Sequence, residues 1–374
     1  MKRRLRYVMV GGGNGSFIGP VHRMALRMDD SAELVAGCFS RDAAVNAETG
    51  ATLGLPPERV YADWREMFAS EKGSADFAAV CTPNDSHCEI ACAAMGAGMD
   101  VMCEKPLSLT LAEAQRLATV ARRRRRIVGV PFTYTGYPMA KLARDLVRGG
   151  ELGRIDRVTL EYVQGSFRKL DFTRPLDKRN AWKTDPRRSG PSCAVADIGV
   201  HAFTLVEYVT GLEARSLLAD LSSFAIGGRL DDDASIIMRL SKGARATVVV
   251  SKVATGEENG VRLRVYGDKA SLFWDQESPN ALTVRSPFAP DRVYRRNAPY
   301  VRSSSAASAM ASRIPAGHHE GFIEAVANIY GNFCAAVADR RPHDFTGIRE
   351  GLRAMRFVDA ALRSGADGGA WTEI

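Results

Sequence analysis

The glycine-rich segment near the start of the chain most strongly constrains the fold. Residues 11–19, GGGNGSFIG, follow an apolar strand pattern at residues 6–10 and precede a helical pattern at residues 18–28. A strand, a glycine-rich turn and a helix N-terminus form a binding site for a pyrophosphate, because glycines allow close backbone approach and free N–H groups point at the anion. A glycine-rich turn without a ligand is the alternative.

The spacing of these glycines departs from the usual G-x-G-x-x-G pattern. Gly11 and Gly13 fit the pattern, but Ser16 stands where the third glycine or alanine belongs. Gly19 takes that packing role if the loop is longer by three residues. The residues predicted to bind the cofactor here are Gly11, Gly13, Asn14, Gly15, Ser16, Phe17 and Ile18.

The order of strand and helix patterns predicts two domains of different architecture. Strands at 6–10, 33–39, 60–61, 75–82, 100–103 and 127–130 alternate with helices at 18–28, 43–53, 64–70, 86–96 and 111–124. This alternation is typical of βαβ units in a doubly wound parallel sheet. The pattern changes near residue 134, which predicts domains at 1–134 and 135–374.

Consecutive strands dominate the second predicted domain. A helix at 139–148, a strand at 157–164, a polar loop at 166–192 and a helix at 195–210 come first. Strands follow at 215–222, 234–240, 245–252, 261–266, 270–274 and 281–284, then a loop at 303–316 and helices at 321–340 and 348–364. Successive strands predict an α+β domain with a large, mostly antiparallel sheet. The fold class is therefore α/β.

Composition excludes several other classes of protein. The 374 residues are 45% hydrophobic and 25% charged, which is typical of a globular chain rather than a disordered, collagen-like or coiled-coil one. No stretch approaches the ~20 apolar residues that span a bilayer, and the apolar run at 7–10 is too short for a secretory signal. We therefore expect a cytoplasmic protein. The seven cysteines lack zinc-site spacing, so we predict no metal.

The formal charge of +8 would attract either nucleic acid or a phosphorylated ligand. Its densest run, residues 122–126, follows a helical pattern and precedes a strand pattern. The run therefore belongs to a helix C-terminus, where cations complement the helix dipole. We predict no nucleic-acid partner; an affinity that collapses with salt would indicate one.

The end of the second predicted strand bears on the choice between NAD and NADP. An acidic residue there binds the ribose 2′-hydroxyl of NAD, whereas Ser40 followed by Arg41 suits the 2′-phosphate of NADP. Two alternatives stay open. Arg41 could be a solvated loop cation, and Asp42 could take the acidic role after a one-residue shift. We expect a preference for NADP, or use of both cofactors.

Three further motifs carry chemistry. Thr82-Pro83-Asn84 ends one strand and Glu104-Lys105-Pro106 ends a later one, and ligands in such sheets bind beyond the carboxyl ends of strands. Asp197 and His201 are four residues apart, so on a helix they share one face. Histidine ordinarily titrates near neutral pH, so His201 suits proton transfer.

Together these motifs resemble the Gfo/Idh/MocA family of NAD(P)-dependent oxidoreductases. The resemblance includes the glycine loop, Thr82-Pro83-Asn84 followed by His87, Glu104-Lys105-Pro106, and the Asp197-x-x-x-His201 pair. It implies a Rossmann domain plus a larger α/β domain whose open sheet often forms the oligomer interface, hence a homodimer or homotetramer. It also implies oxidation or reduction of sugars, inositols and their derivatives.

The resemblance assigns roles residue by residue. Lys105 corresponds to the catalytic lysine, Asp197 and His201 to an acid/base pair, and Pro106 to a residue that bends the backbone, often through a cis bond. The cofactor-binding residues implied in this part of the chain are Ser40, Arg41, Thr82, Pro83, Asn84, His87, Glu104, Lys105 and Pro106. Thr133 departs from the family, many of whose members carry an arginine there.

The predicted substrate-binding residues are Lys105, Tyr134, Trp182, Lys183, Asp197, His201 and His318. The segment 166–192 that carries Trp182 and Lys183 could instead be an ordered surface loop, and His318 could simply belong to a helix entry. Tyr134 could stack near the nicotinamide or fill the domain junction. The expected function is an NAD- or NADP-dependent dehydrogenase or reductase of a sugar or cyclitol. Alternatives are a dihydrodiol or small carbonyl substrate, or a cofactor-binding sensor without turnover.

Overall fold

A computed structural model describes residues 3–374 of the protein, except for the side chains of residues 178 and 179. Within that range the strands are β1 Leu5–Gly11, β2 Ala32–Cys38, β3 Phe77–Cys81, β4 Asp100–Cys103, β5 Val128–Gly129, β6 Ile155–Val163, β7 Ala214–Ser222, β8 Asp233–Leu240, β9 Arg245–Ser251, β10 Gly260–Gly267, β11 Ser271–Asp275, β12 Ala281–Ser286, β13 Ala289–Arg295 and β14 Thr372–Glu373.

The α-helices of the same range are α1 Ile18–Met28, α2 Ala43–Thr52, α3 Trp64–Ser70, α4 His87–Gly96, α5 Leu111–Arg124, α6 Pro138–Arg148, α7 Lys178–Ala181, α8 Pro186–Ser189, α9 Val200–Thr210, α10 Pro299–Ser304, α11 Ala306–Met310, α12 Phe322–Asp339 and α13 Ile348–Ala366. None of the described helices is both long enough and apolar enough to cross a membrane.

The chain divides into two compact units that are not continuous in sequence. The first runs up to Pro131 and also contains Val326–Leu352, and the second contains Phe132–Ala325 and Arg353–Ile374. The sequence pattern placed a single boundary at residue 134 and did not anticipate the returning segment. In the first unit the rings of Tyr330 and Phe333, both from α12, pack against Phe77 of β3. Because the sequence pattern of α12 is that of one continuous helix, it does not show that most of this helix packs in the first unit.

The first unit contains a parallel sheet, as predicted. Among the described residues this sheet has five strands in the order β2-β1-β3-β4-β5, and every strand pair is parallel. All residues of β3 are buried, as expected of a strand covered on both faces. The strand predicted at 60–61 is wrong: Val60 makes a single bridge to Gly37 after a 3₁₀ turn at Pro57–Arg59, where prolines limit extended pairing.

Helix α5 ends as its charge pattern predicts. Thr110 accepts a hydrogen bond from the Glu113 N–H at the N-terminus, and three arginines occupy the last turn. Arg125 then adopts a left-handed conformation with φ of 52°, which terminates the helix. The arginine run at 122–126 therefore lies at a helix C-terminus.

The second unit contains the predicted large, mostly antiparallel sheet. Its nine described strands run in the order β13-β12-β11-β10-β6-β9-β8-β7-β14, and the β6–β9 pair is parallel. Alternate residues of β6, among them Val158 and Leu160, are fully buried, and helices α6 and α9 contact the sheet. On β8 and β10, Ile237 and Tyr266 are exposed. One face of the sheet is thus core and the other is open within this chain.

Two segments predicted as loops contain helices. In 166–192, α7 and α8 begin at the aspartates Asp177 and Asp185, whose carboxylates accept backbone N–H groups. In 303–316, Ser305 caps the alanine-containing helix α11.

Strands β13 and β14 were not predicted. Strand β13 is almost entirely exposed, so it lacks the alternation of apolar residues that marks a half-buried strand.

Candidate active site

The glycine loop between β1 and α1 has the geometry of a phosphate-binding turn. Gly11, Gly12 and Gly15 have φ of 77°, 72° and 82°, a region that favours glycine. A Cβ on Gly11 would lie 2.5 Å from the Cys81 carbonyl oxygen, whereas one on Gly15 would meet no atom within 4 Å. The loop is therefore close-packed against the sheet at one end and open beside the N-terminus of α1 at the other.

Gly19 provides the close packing that the irregular spacing left open. A Cβ at Gly19 would lie 2.2 Å from the Gly12 carbonyl oxygen, so only a glycine fits there. Ser16 occupies the position of the usual third glycine, and its hydroxyl accepts a hydrogen bond from the Gly19 N–H. This confirms that Gly19, not Ser16, takes the packing role. The residues present fit a dinucleotide pyrophosphate.

The loop after β2 holds the residues predicted to select the cofactor. The N–H groups of Phe39 and Ser40 both donate to Asn46 Oδ1, which fixes the turn. The Asp42 carboxylate accepts the N–H groups of residues 44 and 45 and so caps α2. Arg41 is exposed. The exposed Asp42 side chain is thus engaged with the helix N-terminus, and Ser40 is half-buried, with its hydroxyl accepting the Asp42 N–H.

His87 joins the two predicted cofactor motifs. Its Nδ1 lies 2.8 Å from the Pro106 carbonyl oxygen and its Nε2 lies 2.8 Å from the Thr82 carbonyl oxygen. The ring is fully buried, and burial lowers the pKa of His87. The Lys105-Pro106 peptide bond is cis, as the resemblance implied. His87 therefore holds the ends of β3 and β4 together rather than facing solvent.

A buried ion pair lies directly behind Lys105. His22 Nε2 is 2.7 Å from Glu104 Oε1, and His22 Nδ1 is 2.5 Å from the Tyr330 hydroxyl. The other Glu104 oxygen accepts the Lys105 N–H at 3.1 Å. Glu104 is 7% exposed and His22 is fully buried. The side chain predicted to bind cofactor is thus engaged in positioning the Lys105 backbone.

The charges of this pair support each other. Burial opposes protonation of His22, but interactions with Cys81 and with the Glu104 carboxylate outweigh it and raise the pKa of His22 to about 10. Burial likewise opposes ionisation of Glu104, but its hydrogen bond to His22 prevails and lowers its pKa. At neutral pH the pair therefore consists of an imidazolium and a carboxylate.

In the second unit, Asp197 lies on a π-helical turn, Val195–Gly199, that runs into α9. Its Oδ2 accepts a hydrogen bond from Lys252 Nζ at 2.6 Å and lies 4.0 Å from Lys183 Nζ. The Asp197 side chain is 29% exposed, whereas that of Lys252 is 3% exposed. The turn thus presents the carboxylate outward while its cation stays inside.

His201 lies one turn further on, in a buried aromatic setting. Its ring is edge-on to Phe132, Tyr134 and Tyr162, with centroid distances of 5.8, 5.1 and 6.1 Å. The hydroxyl of Tyr134 donates to that of Tyr162 at 2.6 Å, and Asn259 Nδ2 donates to Tyr134 at 3.1 Å. Tyr134 therefore packs on the predicted base, within the second unit. The aromatic rings fix the plane of the imidazole.

Two predicted substrate residues differ in their surroundings. Trp182 is half-buried, and the Lys183 ammonium lies 5.9 Å from the centre of its ring. His318 is exposed, and its carbonyl oxygen accepts a hydrogen bond from Arg296. Arg296 and Glu320 form a buried pair that fixes this segment. The structure brings Lys183 to Asp197, and it places the His318 side chain on an exposed turn.

Sequence reasoning missed Lys252, His22 and Tyr330. A signal for Lys252 exists: residues 246, 248 and 250 of β9 alternate inward, and Lys252 continues that alternation. His22 lies on the buried face of α1, and Tyr330 comes from a helix over 300 residues away in sequence. No cluster of three potential metal-ligating residues is found in the part of the chain that the structure describes.

The fold and site define an oxidoreductase with a dinucleotide-binding Rossmann domain. Residues 5–132 match the family model described as the oxidoreductase family with an NAD-binding Rossmann fold, and residues 140–273 match the GFO/IDH/MocA C-terminal domain. The chain belongs to the Gfo/Idh/MocA family of oxidoreductases.

Relatives support this assignment over the whole chain. The chain is 34% identical to the oxidoreductase YfiI of Bacillus subtilis, covering 100% of this chain and 98% of that one. It is 25% identical to the inositol 2-dehydrogenase of Rhizobium meliloti over 97% of both. A crystal structure of an inositol dehydrogenase homologue from Azotobacter vinelandii, complexed with NADH and myo-inositol, has 33% identity and a TM-score of 0.91 over 100% of this chain and 98% of that chain.

Proposed function

We propose that the protein transfers a hydride between a nicotinamide cofactor and a secondary alcohol or ketone of a sugar, inositol or related polyol. The observation that carries this proposal is the Asp197–His201 turn, where a partly exposed carboxylate precedes an imidazole held edge-on by aromatic rings. The Azotobacter vinelandii homologue complexed with NADH and myo-inositol supports the substrate class.

The residues of this chain account for the proton in the reaction. Bound nicotinamide supplies the hydride acceptor for oxidation or the donor for reduction. During oxidation, His201 takes the hydroxyl proton as general base, and the Asp197 anion favours the imidazolium that results. The Lys105 ammonium is suited to stabilise a developing alkoxide. An alcohol thus becomes a ketone, with one hydride and one proton removed.

Lys105 is suited to this role by the structure around its backbone. The Glu104 carboxylate holds the Lys105 N–H, while Pro106 is fixed by the His87 contact to its carbonyl oxygen. The side chain therefore starts from a fixed backbone at the carboxyl end of β4, where ligands of such sheets bind. The Lys105 residue is half-buried rather than fully exposed.

The test follows nicotinamide absorbance with purified protein against sugars, inositols and sugar acids, using NAD and NADP in parallel. We expect turnover of a polyol. Lys105→Met should lower kcat by about a hundredfold or more while the protein still binds the cofactor. Lys72→Met, which removes an exposed lysine of the same unit, is the matched control. Full turnover by Lys105→Met would contradict the assignment; tight cofactor binding without any turnover would favour a sensor.

The choice of cofactor is a further part of the proposal. In the loop after β2, Arg41 is exposed and Ser40 is half-buried, and the exposed Asp42 is engaged in capping α2. We therefore expect NADP to be preferred or both cofactors to be used, although the cited homologue binds NADH. Ser40→Asp should lower kcat/KM for NADP relative to NAD, because the new carboxylate repels a 2′-phosphate. An unchanged ratio would count against this loop.

A homodimer or homotetramer and a cytoplasmic location belong to the same proposal. The open face of the nine-stranded sheet described here supports the first, since exposed apolar residues such as Ile237 and Val293 lie on its strands. Sedimentation of the purified protein measures the state directly.

A further inference from the structure

We propose that Lys252 is a positioning residue that holds Asp197 in place, and so keeps Asp197 an anion through the acidic end of the pH range of the reaction. This inference rests on the proposed function, in which Asp197 assists His201. It adds a residue that no motif in the sequence marks.

The strand β9 delivers Lys252 to Asp197 from inside the second unit. Lys252 follows the buried residues Val248 and Val250 at the same two-residue spacing, so its side chain points to the core face of the sheet. Its backbone N–H donates to the Asp232 carbonyl oxygen, which fixes the end of the strand. The ammonium reaches Asp197 Oδ2 at 2.6 Å. The direction of this side chain is therefore set by the sheet register.

The surroundings of Lys252 keep it charged. Burial favours the neutral amine, but the charge of Asp197 and the nearby Cys193, together with the hydrogen bond to Asp197 and the charge of Asp231, outweigh it and raise the pKa of Lys252. The ammonium also lies 5.1 Å from the centre of the Phe167 ring, a favourable cation–π distance. Asp231 itself accepts the N–H groups of Cys193 and Val195.

The groups that face Asp197 come from several elements. Lys252 lies at the end of β9, Lys183 follows α7, and His201 follows on α9. The hydroxyls of Tyr134 and Tyr162 are close enough to experience the Asp197 charge, which helps to raise the pKa of both groups beyond the effect of their burial. Among these groups Lys252 is a buried cation in direct contact with the carboxylate. It therefore has a larger influence on the ionisation of Asp197 than the more distant, partly exposed Lys183.

A purely structural role would not need this arrangement. Replacing a buried ion pair by apolar residues is often neutral or stabilising. In this pair the ammonium is enclosed and the carboxylate is partly exposed, so the charge that is made available is the anion. In the proposed function this anion acts on His201, whose protonated form it stabilises.

The test compares the pH dependence of kcat/KM in the wild type, Lys252→Met and Lys252→Arg. An adjacent cation lowers a carboxyl pKa by about 1–3 units, so Lys252→Met should raise the pKa of Asp197 by a similar amount. The acidic limb, where His201 takes up its proton, should then fall more steeply at its low-pH end. Lys252→Arg keeps the positive charge and should leave the acidic limb of the pH profile unchanged. Lys141→Met is the control, since Lys141 is also buried in this unit but contacts Tyr208. This control variant should leave the acidic limb of the pH profile unchanged.

A second readout does not depend on turnover. The Asp197 carboxyl carbon, assigned with Asp197→Asn, should titrate by NMR at a lower pH in the wild type than the ordinary value of about 3.9 for aspartate, whether or not Lys252→Met folds. Absence of polyol turnover in the wild type would overturn the proposed function and leave this titration to decide the role of Lys252. An ordinary wild-type titration, or an acidic limb of unchanged steepness in a folded Lys252→Met, would overturn the inference.

Discussion

Each unit contains a carboxylate paired with a buried cation, and the two pairs differ in which partner is accessible. In the first unit His22 is fully buried and the Glu104 side chain is 9% exposed. In the second unit Lys252 is enclosed but the Asp197 side chain is 29% exposed. The first carboxylate is saturated by His22 and the Lys105 N–H, so it supports the backbone. The second reaches the surface and is available for chemistry.

The two cations also differ in what they can do when their partner is lost. A histidine without a carboxylate returns toward its ordinary pKa of about 6.5 and can become neutral at physiological pH. A lysine has an ordinary pKa of about 10.4 and must either stay charged or lose its proton at a cost. Loss of the carboxylate should therefore destabilise the first pair less than the second. This difference can be measured.

The largest expected effect separates the two pairs directly. Asp197→Asn leaves the Lys252 ammonium buried without its anion, which should lower the free energy of unfolding by about 3 kcal/mol, the lower end of the range because Asp197 is partly exposed. Glu104→Gln should cost about 1–2 kcal/mol, since His22 can lose its proton and the amide still accepts a hydrogen bond. Urea denaturation at pH 7 measures both.

A double variant sharpens this comparison. Adding Lys252→Met to Asp197→Asn removes the unpaired charge and should restore most of the lost stability. A double variant that is less stable than Asp197→Asn alone would show that Lys252 stabilises the second unit through its packing rather than through its charge.

A smaller effect concerns pH. The pKa of His22 is raised to about 10 in the folded protein, above its ordinary value of about 6.5. The stabilisation from protonated His22 is therefore complete below pH ~6.5 and is lost as the pH rises toward 10. His22→Gln should cost about 1–2 kcal/mol at pH 6, and the difference from the wild type should shrink by pH 10.

Denaturant midpoints at pH 6, 8 and 10 test this expectation, with His343→Gln as the control because His343 is a surface residue paired to Asp339. A difference between wild type and His22→Gln that stays constant across this range would mean that folding does not shift the pKa of His22. The contrast between His22, as a cation that can lose its proton, and Lys252, as a cation that stays charged, would then fail.

Local patterns predicted much of the fold. The bounds of α1, α3, α5 and β4 coincide with the predicted ones. Helices α3 and α5 begin after Asp63 and Thr110, whose side chains cap them. The two sheets were predicted as parallel and mostly antiparallel. The strand at 60–61 and the loop at 303–316 were wrong, since a short apolar pair and an alanine- and serine-rich stretch are each compatible with more than one local structure.

The sequence by itself determined the glycine loop, the family motifs and the class of reaction, because glycine conformation and motif order depend on residues that are close in the chain. The tertiary structure decided which side chains support them. Tyr330 reaches His22 from a returning helix, and Lys252 reaches Asp197 across 55 residues of sequence. Such contacts depend on strand order and sheet register, which place residues together only after the chain has folded.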